Sequence, residues 1–272
     1  MFLAGLLRRL RGFSTPARIP DALWRATLGA LPFLARLSAD EAERLKRLSE
    51  RFLAEKEFTG AGGLEITDAI CVSVAAQACL PILNLGIAYY DGWVGIVVYP
   101  DEFVVPRITV DETGVAHEYD DVASGEAWEG GPVVVSWGDA KMAGDGYNVV
   151  IHEFAHKLDM RDGRIDGVPP LPPDIPAGEW EDALHAAFDE FQTFAVVAFE
   201  SDESEESDDP GEPDGFDDYA ATNPEEFFAV MSEAFFEAPK LLRGEFPALY
   251  ALFARFYRQD PARAADVATL KG

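Results

Sequence analysis

Two histidines four residues apart, His152 and His156, stand in the run VVIHEFAHKLD, and Glu153 follows the first directly. On a helix, residues i and i+4 project from one face about a turn apart, so both imidazoles can reach one point. This is the H-E-x-x-H arrangement. The imidazoles suit a zinc ion, and the glutamate beside them suits a general base toward a metal-activated water. The chain has only 4 histidines, so chance alone produces such a match in roughly half a percent of comparable chains. The neighbours Val149, Val150, Ile151, Phe154, Ala155 and Leu158 are apolar. They fit a buried helix that starts near Asn148, a good N-cap, and ends by Gly163.

Zinc held by two imidazoles needs a third protein ligand and keeps one position open for water. A second helix in YAATNPEEFFAVMSEAFFEAP, with Asn223 as cap and Pro224 in its first turn, can supply it. Phe227, Phe228, Met231, Ala234 and Phe235 form a core stripe there, while Glu226 and Glu233 share another face. Glu226 is the expected ligand, although at N3 it equally completes a capping box with Asn223. Glu233, two turns on, suits a carboxylate that hydrogen-bonds a ligand imidazole from behind. Asp159, three residues after His156, is either another such carboxylate or an exposed helix-end residue. His117 has no partner at ligand spacing, and His185 reads as a packed histidine.

The elements that must position these residues follow from pattern. Asp21 caps a first helix and Ser38 opens a capping box with Glu41, giving helical structure over residues 21–58. Thr67-Asp68 caps an apolar helix through Leu80 that extends past Pro81 to Leu85. Strand-like runs follow at Gly95–Tyr99, Phe103–Val105 and Pro132–Trp137, with the polar stretch Asp111–Glu129 between them. PVVVSW reads as the edge strand before the motif helix, and zinc peptidases bind extended substrates along such an edge. A helix at roughly 179–199 and one closing amphipathic helix through LLRGEFPALYALFARFYRQDP complete the pattern. The fold class is α+β.

Composition narrows the function classes. The 272 residues carry a formal charge of −27, which argues against nucleic acid or anionic membrane as partners. Residues 200–218 hold eleven carboxylates and no base; they read as a disordered acidic insert without calcium-loop spacing. No apolar run reaches the 18 residues of a membrane span. The start, MFLAGLLRRLRGF, reverses the order of a secretory signal and reads as a flexible segment over residues 1–20. Cys71 and Cys79, the only cysteines, read as buried reduced thiols of a cytoplasmic protein. One domain spans 21–262, and 263–272 form a tail.

HEFAHKLD, then RDGR and GVP, then YAATNPEEFFAVMSEAFFEAP resemble the Mlc titration factor A family of bacterial zinc-dependent peptidases. CLPILNLGIAYYDGWVGIVVYPDEFVV and GPVVVSW carry the same likeness, which spans about residues 20–262. The resemblance implies a zincin-like domain, related to the lethal factor protease domain, with an active-site helix and a small mixed sheet between N- and C-terminal helices. It implies aminopeptidase-like hydrolysis of peptides with one zinc ion on His152, His156 and Glu226. Glu153 would be the base and Tyr219 would assist beside the metal. It also implies an alternative role, capture of a repressor of the Mlc type that controls sugar phosphotransferase genes. The acidic insert and the N-terminal segment depart from the family pattern.

Overall fold

The computed structural model describes residues 18–110, 116–143, 146–201 and 215–263, with side chains omitted at 106–110, 116–119 and 194–201. Helices α1 (Asp21–Ala30) and α2 (Ala39–Glu55) follow the 3/4 spacing of their leucines and aromatics. The Ser38 hydroxyl accepts from the Glu41 N–H, and the Glu41 carboxylate accepts from the Ser38 N–H at 2.9 Å, which closes the expected capping box. Asp21 does not cap α1. The cap is Pro20, and Asp21 lies in the first turn, where it accepts from Lys46 Nζ at 2.6 Å. Helix α3 (Asp68–Cys79) starts on Thr67 as expected. It stops at Cys79, because Pro81 lacks the N–H that a continuing helix requires, and residues 80–85 form turns instead.

Four strands make a mixed sheet in the order β1 (Glu57–Gly60), β2 (Gly95–Tyr99), β6 (Val133–Ser136), β5 (Gly125–Ala127). β1, β2 and β6 run parallel, and β5 runs antiparallel to β6 with Gly125 opposite Val135. The expectation that PVVVSW is an edge strand is therefore wrong. All four residues of β6 are buried, as a consecutive apolar run with both faces covered demands. The edge belongs to GEA in the stretch that reads as a polar connection. β3 (Phe103–Val110) and β4 (Ala116–Ala123) form a separate hairpin in which Val104 faces Val122, both exposed. β4 carries few strongly apolar residues and Val122 among them is exposed, so hydrophobic periodicity could not reveal it.

After the short helix α4 (Trp137–Ala140), the motif helix α5 (Val149–Asp159) packs between β5 and β6 on one side and α7 (Pro224–Glu237) on the other. Phe154 anchors it, with ring centroids 5.6, 5.1 and 5.7 Å from Phe52, Tyr90 and Trp93. Removing a fully buried Phe of this kind costs ~3–5 kcal/mol. Helix α6 (Ala177–Ser201) brings Trp180 against Phe253 at 5.4 Å. The expected single closing helix is two, α8 (Pro239–Glu245) and α9 (Pro247–Tyr257). Pro247 starts the second because its ring suits a first turn and breaks an interior. The architecture is α+β with a small mixed sheet. No helix among the described residues is long and apolar enough to cross a membrane.

Candidate metal centre

Asn148 starts the motif helix, with Oδ1 accepting from the Ile151 N–H at 2.9 Å. All eleven residues of α5 are buried, including His152, Glu153, His156, Lys157 and Asp159. Such a polar load in a core demands partners. The helix runs out through one 3-10 turn to Gly163 at φ 87°, a left-handed position that favours glycine.

The two imidazoles stand 4.8 Å apart at 76°, with Nε2 atoms separated by 3.1 Å. Glu226 comes from the first turn of α7, where Pro224 sits at N1 and Asn223 Oδ1 accepts the Glu226 N–H at 2.8 Å. Only that half of the capping box forms. The carboxylate turns to the imidazoles instead, with Oε2 3.1 Å from His152 Nε2 and 3.2 Å from His156 Nε2. A tetrahedral zinc with bonds of about 2.0–2.1 Å separates its ligand atoms by roughly 3.3–3.4 Å. The trio fits such an ion, and it is the only His/Cys/Asp/Glu group of this kind among the described residues. Burial opposes charge on Glu226, yet hydrogen bonds to both imidazoles hold its carboxyl far below the ordinary range.

Behind the trio, Glu233 lies 2.7 Å by Oε1 from His152 Nδ1. Its other oxygen accepts from the Asn148 N–H at 2.6 Å. A carboxylate there makes Nδ1 the protonated nitrogen and leaves the Nε2 lone pair for a metal. Asp159 behaves differently. It is wholly buried, not an exposed helix end, and Oδ2 accepts from the Asp166 and Gly167 N–H groups at 3.1 and 2.9 Å. No hydrogen bond joins it to His156, whose Nδ1 is buried without a partner among the described residues, as is Asp159 Oδ1. Asp159 holds the loop that follows α5, and desolvation pushes its carboxyl up to about 7.

Glu153 is 5% exposed, and its Oε2 has no hydrogen-bond partner among the described residues. Desolvation pushes its carboxyl up to about 7 against the pull of the two histidines. It faces a cleft of about 470 Å³ that His152, His156, Tyr147, Tyr219 and Glu226 also line. Tyr219 belongs to a 3-10 turn in which Asp217 Oδ1 accepts its N–H at 2.8 Å. Its ring lies 6.2 Å from that of His152, and burial together with the Glu226 carboxylate pushes its hydroxyl up to about 12. His185 is exposed on α6 and not packed, since Leu184 and Phe188 take the inner face. His117 sits opposite Thr109 on the hairpin, its side chain outside the described residues.

Sequence reasoning missed Gly125 and Lys157. A Cβ on Gly125 would come within 2.3 Å of Glu153 Oε1, so only glycine lets the edge strand lie on the motif helix. The sole signal is a glycine in the middle of a polar run.

Comparison with known proteins places this geometry in a family. Residues 7–258 match the family model of the glucose-regulated metallo-peptidase M90. Mlc titration factor A of Enterobacter sp. (strain 638) is 43% identical over 247 residues, 89% of this chain and 88% of that protein. The protein of the same name from Salmonella typhi is 42% identical over 246 residues, with the same coverage of each chain. That of Salmonella schwarzengrund (strain CVM19633) is 42% identical over 255 residues, 93% of this chain and 91% of that one. With a family match over nearly its whole length and three ligand-type atoms, two of them on buried histidines, meeting at one point, the chain belongs to the glucose-regulated metallo-peptidase M90 family.

Proposed function

We propose that the chain is a zinc-dependent peptidase with a zincin-like catalytic domain over residues 21–262, using one zinc ion on His152, His156 and Glu226. The observation that carries this reading is the convergence of those three atoms at 3.1–3.2 Å beside the unpartnered, buried oxygen of Glu153. A zinc ion bound by these residues would supply Lewis-acid chemistry, polarising a peptide carbonyl and acidifying a water. Glu153, kept near neutrality by burial, accepts the water's proton and returns it to the leaving amine. Tyr219, half-exposed at the mouth, donates its hydroxyl to the carbonyl oxygen as negative charge develops there. Glu233 holds the His152 ring in the tautomer that coordination requires.

Substrates lie along β5, whose outer edge flanks Glu153 and offers backbone N–H and C=O groups to an extended peptide. Asp217 and Glu225, both on the cleft wall, suit the α-ammonium of a free N-terminus, which supports an aminopeptidase-like action. The buried, unpaired thiols Cys71 and Cys79 support a reducing, cytoplasmic setting. Glu153→Gln tests the mechanism. It keeps bound zinc and lowers peptide turnover roughly 10²–10⁴-fold; normal turnover by that variant refutes the role of Glu153.

A second role rests on the name that the relatives carry. A chain 42–43% identical to Mlc titration factors captures a repressor of the Mlc type. Capture unchanged in Glu153→Gln, with no peptide cleaved by the wild type, would make binding the principal function.

A further inference from the structure

Lys157 is 4% exposed, directly after a candidate metal-ligand histidine; its two hydrogen bonds go to backbone carbonyls, and Glu129 and Glu153 act on it only as charges nearby. Burying an ammonium is costly unless its hydrogen bonds are met. Here Nζ donates to the Trp128 carbonyl at 2.6 Å and to the Gly131 carbonyl at 3.1 Å, and lies 4.7 Å from the centre of the Trp93 ring. Both acceptors belong to one turn, the one that joins β5 to β6. That turn is also closed on itself, with the Gly131 N–H donating to the Trp128 carbonyl at 3.0 Å. A methionine would fill the same space at less electrostatic cost, so packing alone does not account for a lysine.

Glu153 and Lys157 are four residues apart on α5 and so share one face. Glu153 lies under Gly125, the first residue of β5, and Lys157 under the turn at its far end. β5 has three residues and ladders with β6 on one side only. So short an edge strand has little rigidity of its own.

We propose that Lys157 is a positioning residue that latches the β5–β6 turn to the motif helix and thereby fixes the substrate-binding edge over Glu153. This rests on the reading that extended peptides lie along β5. The latch acts on substrates long enough to reach the strand and leaves the metal untouched.

The test compares Lys157→Met with wild type on two substrates, an internally quenched decapeptide and a chromogenic aminoacyl anilide too short to lie along β5. KM for the decapeptide rises about ten- to a hundred-fold, the order expected when a positioning contact is lost, with kcat and zinc content retained. Anilide turnover changes by less than about threefold. Equal losses on both substrates, or no loss on either, overturn the proposal. Lys157→Gln, which keeps a neutral donor of similar length, gives intermediate values and serves if the Met variant does not fold. Hydrogen exchange supplies a readout independent of catalysis: amides of 125–131 exchange faster in Lys157→Met while those of 149–159 do not. Unchanged exchange at 125–131 removes the latch. A wild type that cleaves neither substrate refutes the peptidase reading instead, and the exchange experiment still decides whether Lys157 holds the turn.

Discussion

Glu233 binds both His152, a proposed metal ligand, and the start of the helix that carries it: Oε1 meets His152 Nδ1 at 2.7 Å, and Oε2 accepts the Asn148 N–H at 2.6 Å. One carboxylate thus sets the tautomer of the ring and ties α5 to α7. In Glu233→Gln one end of the side chain is an NH₂ group, which meets a donor on one side whichever way it is turned. Zinc affinity falls roughly 10–100-fold, measured by competition with a chromogenic chelator. Affinity equal to wild type would show that Glu233 does not orient the ligand.

Gly125→Ala places a methyl group 2.3 Å from Glu153 Oε1 and 2.6 Å from its Cγ. Either the edge strand lifts, which weakens peptide binding, or the glutamate moves, which misplaces the proton acceptor. Peptide turnover falls by at least about tenfold, with zinc content unchanged. Wild-type turnover in Gly125→Ala would mean that the approach of strand to glutamate has no part in catalysis.

The convergence of the candidate metal trio is legible because its chemistry is written in local spacing. His152, Glu153 and His156 share one helix, and the need for a third ligand leads to Glu226, whose N–H completes the capping pattern while its carboxylate does not. What joined distant elements was not legible. β5 is three residues long in a polar run and shows its role only against Glu153 across the fold. Asp159 has the spacing of an imidazole partner, yet the N–H groups of Asp166 and Gly167 take its carboxylate, a choice made by a loop whose path no periodicity records. Pro247 stands inside a continuous amphipathic pattern, and its ring splits that pattern into two helices.

Asp159→Ala leaves those two N–H groups, that of Gly167 buried and that of Asp166 partly so, without their acceptor. The variant loses ~2–4 kcal/mol of stability, read from urea midpoints. Asp159→Asn, which keeps a carbonyl acceptor, loses less. A change under about 0.5 kcal/mol in Asp159→Ala would contradict the loop-anchoring role.

Lys56 is buried, donating to the Tyr90 and Trp93 carbonyls at 2.5 and 2.6 Å, and desolvation pushes it down from 10.5 to about 8. Glu55 and Asp91 oppose that shift, and Lys157 stands over the same Trp93 ring. A base with a depressed folded pKa costs stability while charged, so the cost is full below pH 8 and is relieved as pH rises toward 10.5. The stability of wild type relative to Lys56→Met therefore climbs between pH 8 and 10.5. A difference that stays flat across that window would show that Lys56 titrates normally.

The central claim is that His152, His156 and Glu226 together hold one zinc ion, and metal analysis of the purified protein tests it most directly. Wild type carries one equivalent of zinc per chain, and His152→Ala and Glu226→Ala, both folded by circular dichroism, carry almost none. A full equivalent retained by Glu226→Ala, or a wild type that takes up no zinc when supplied with it, would contradict the account.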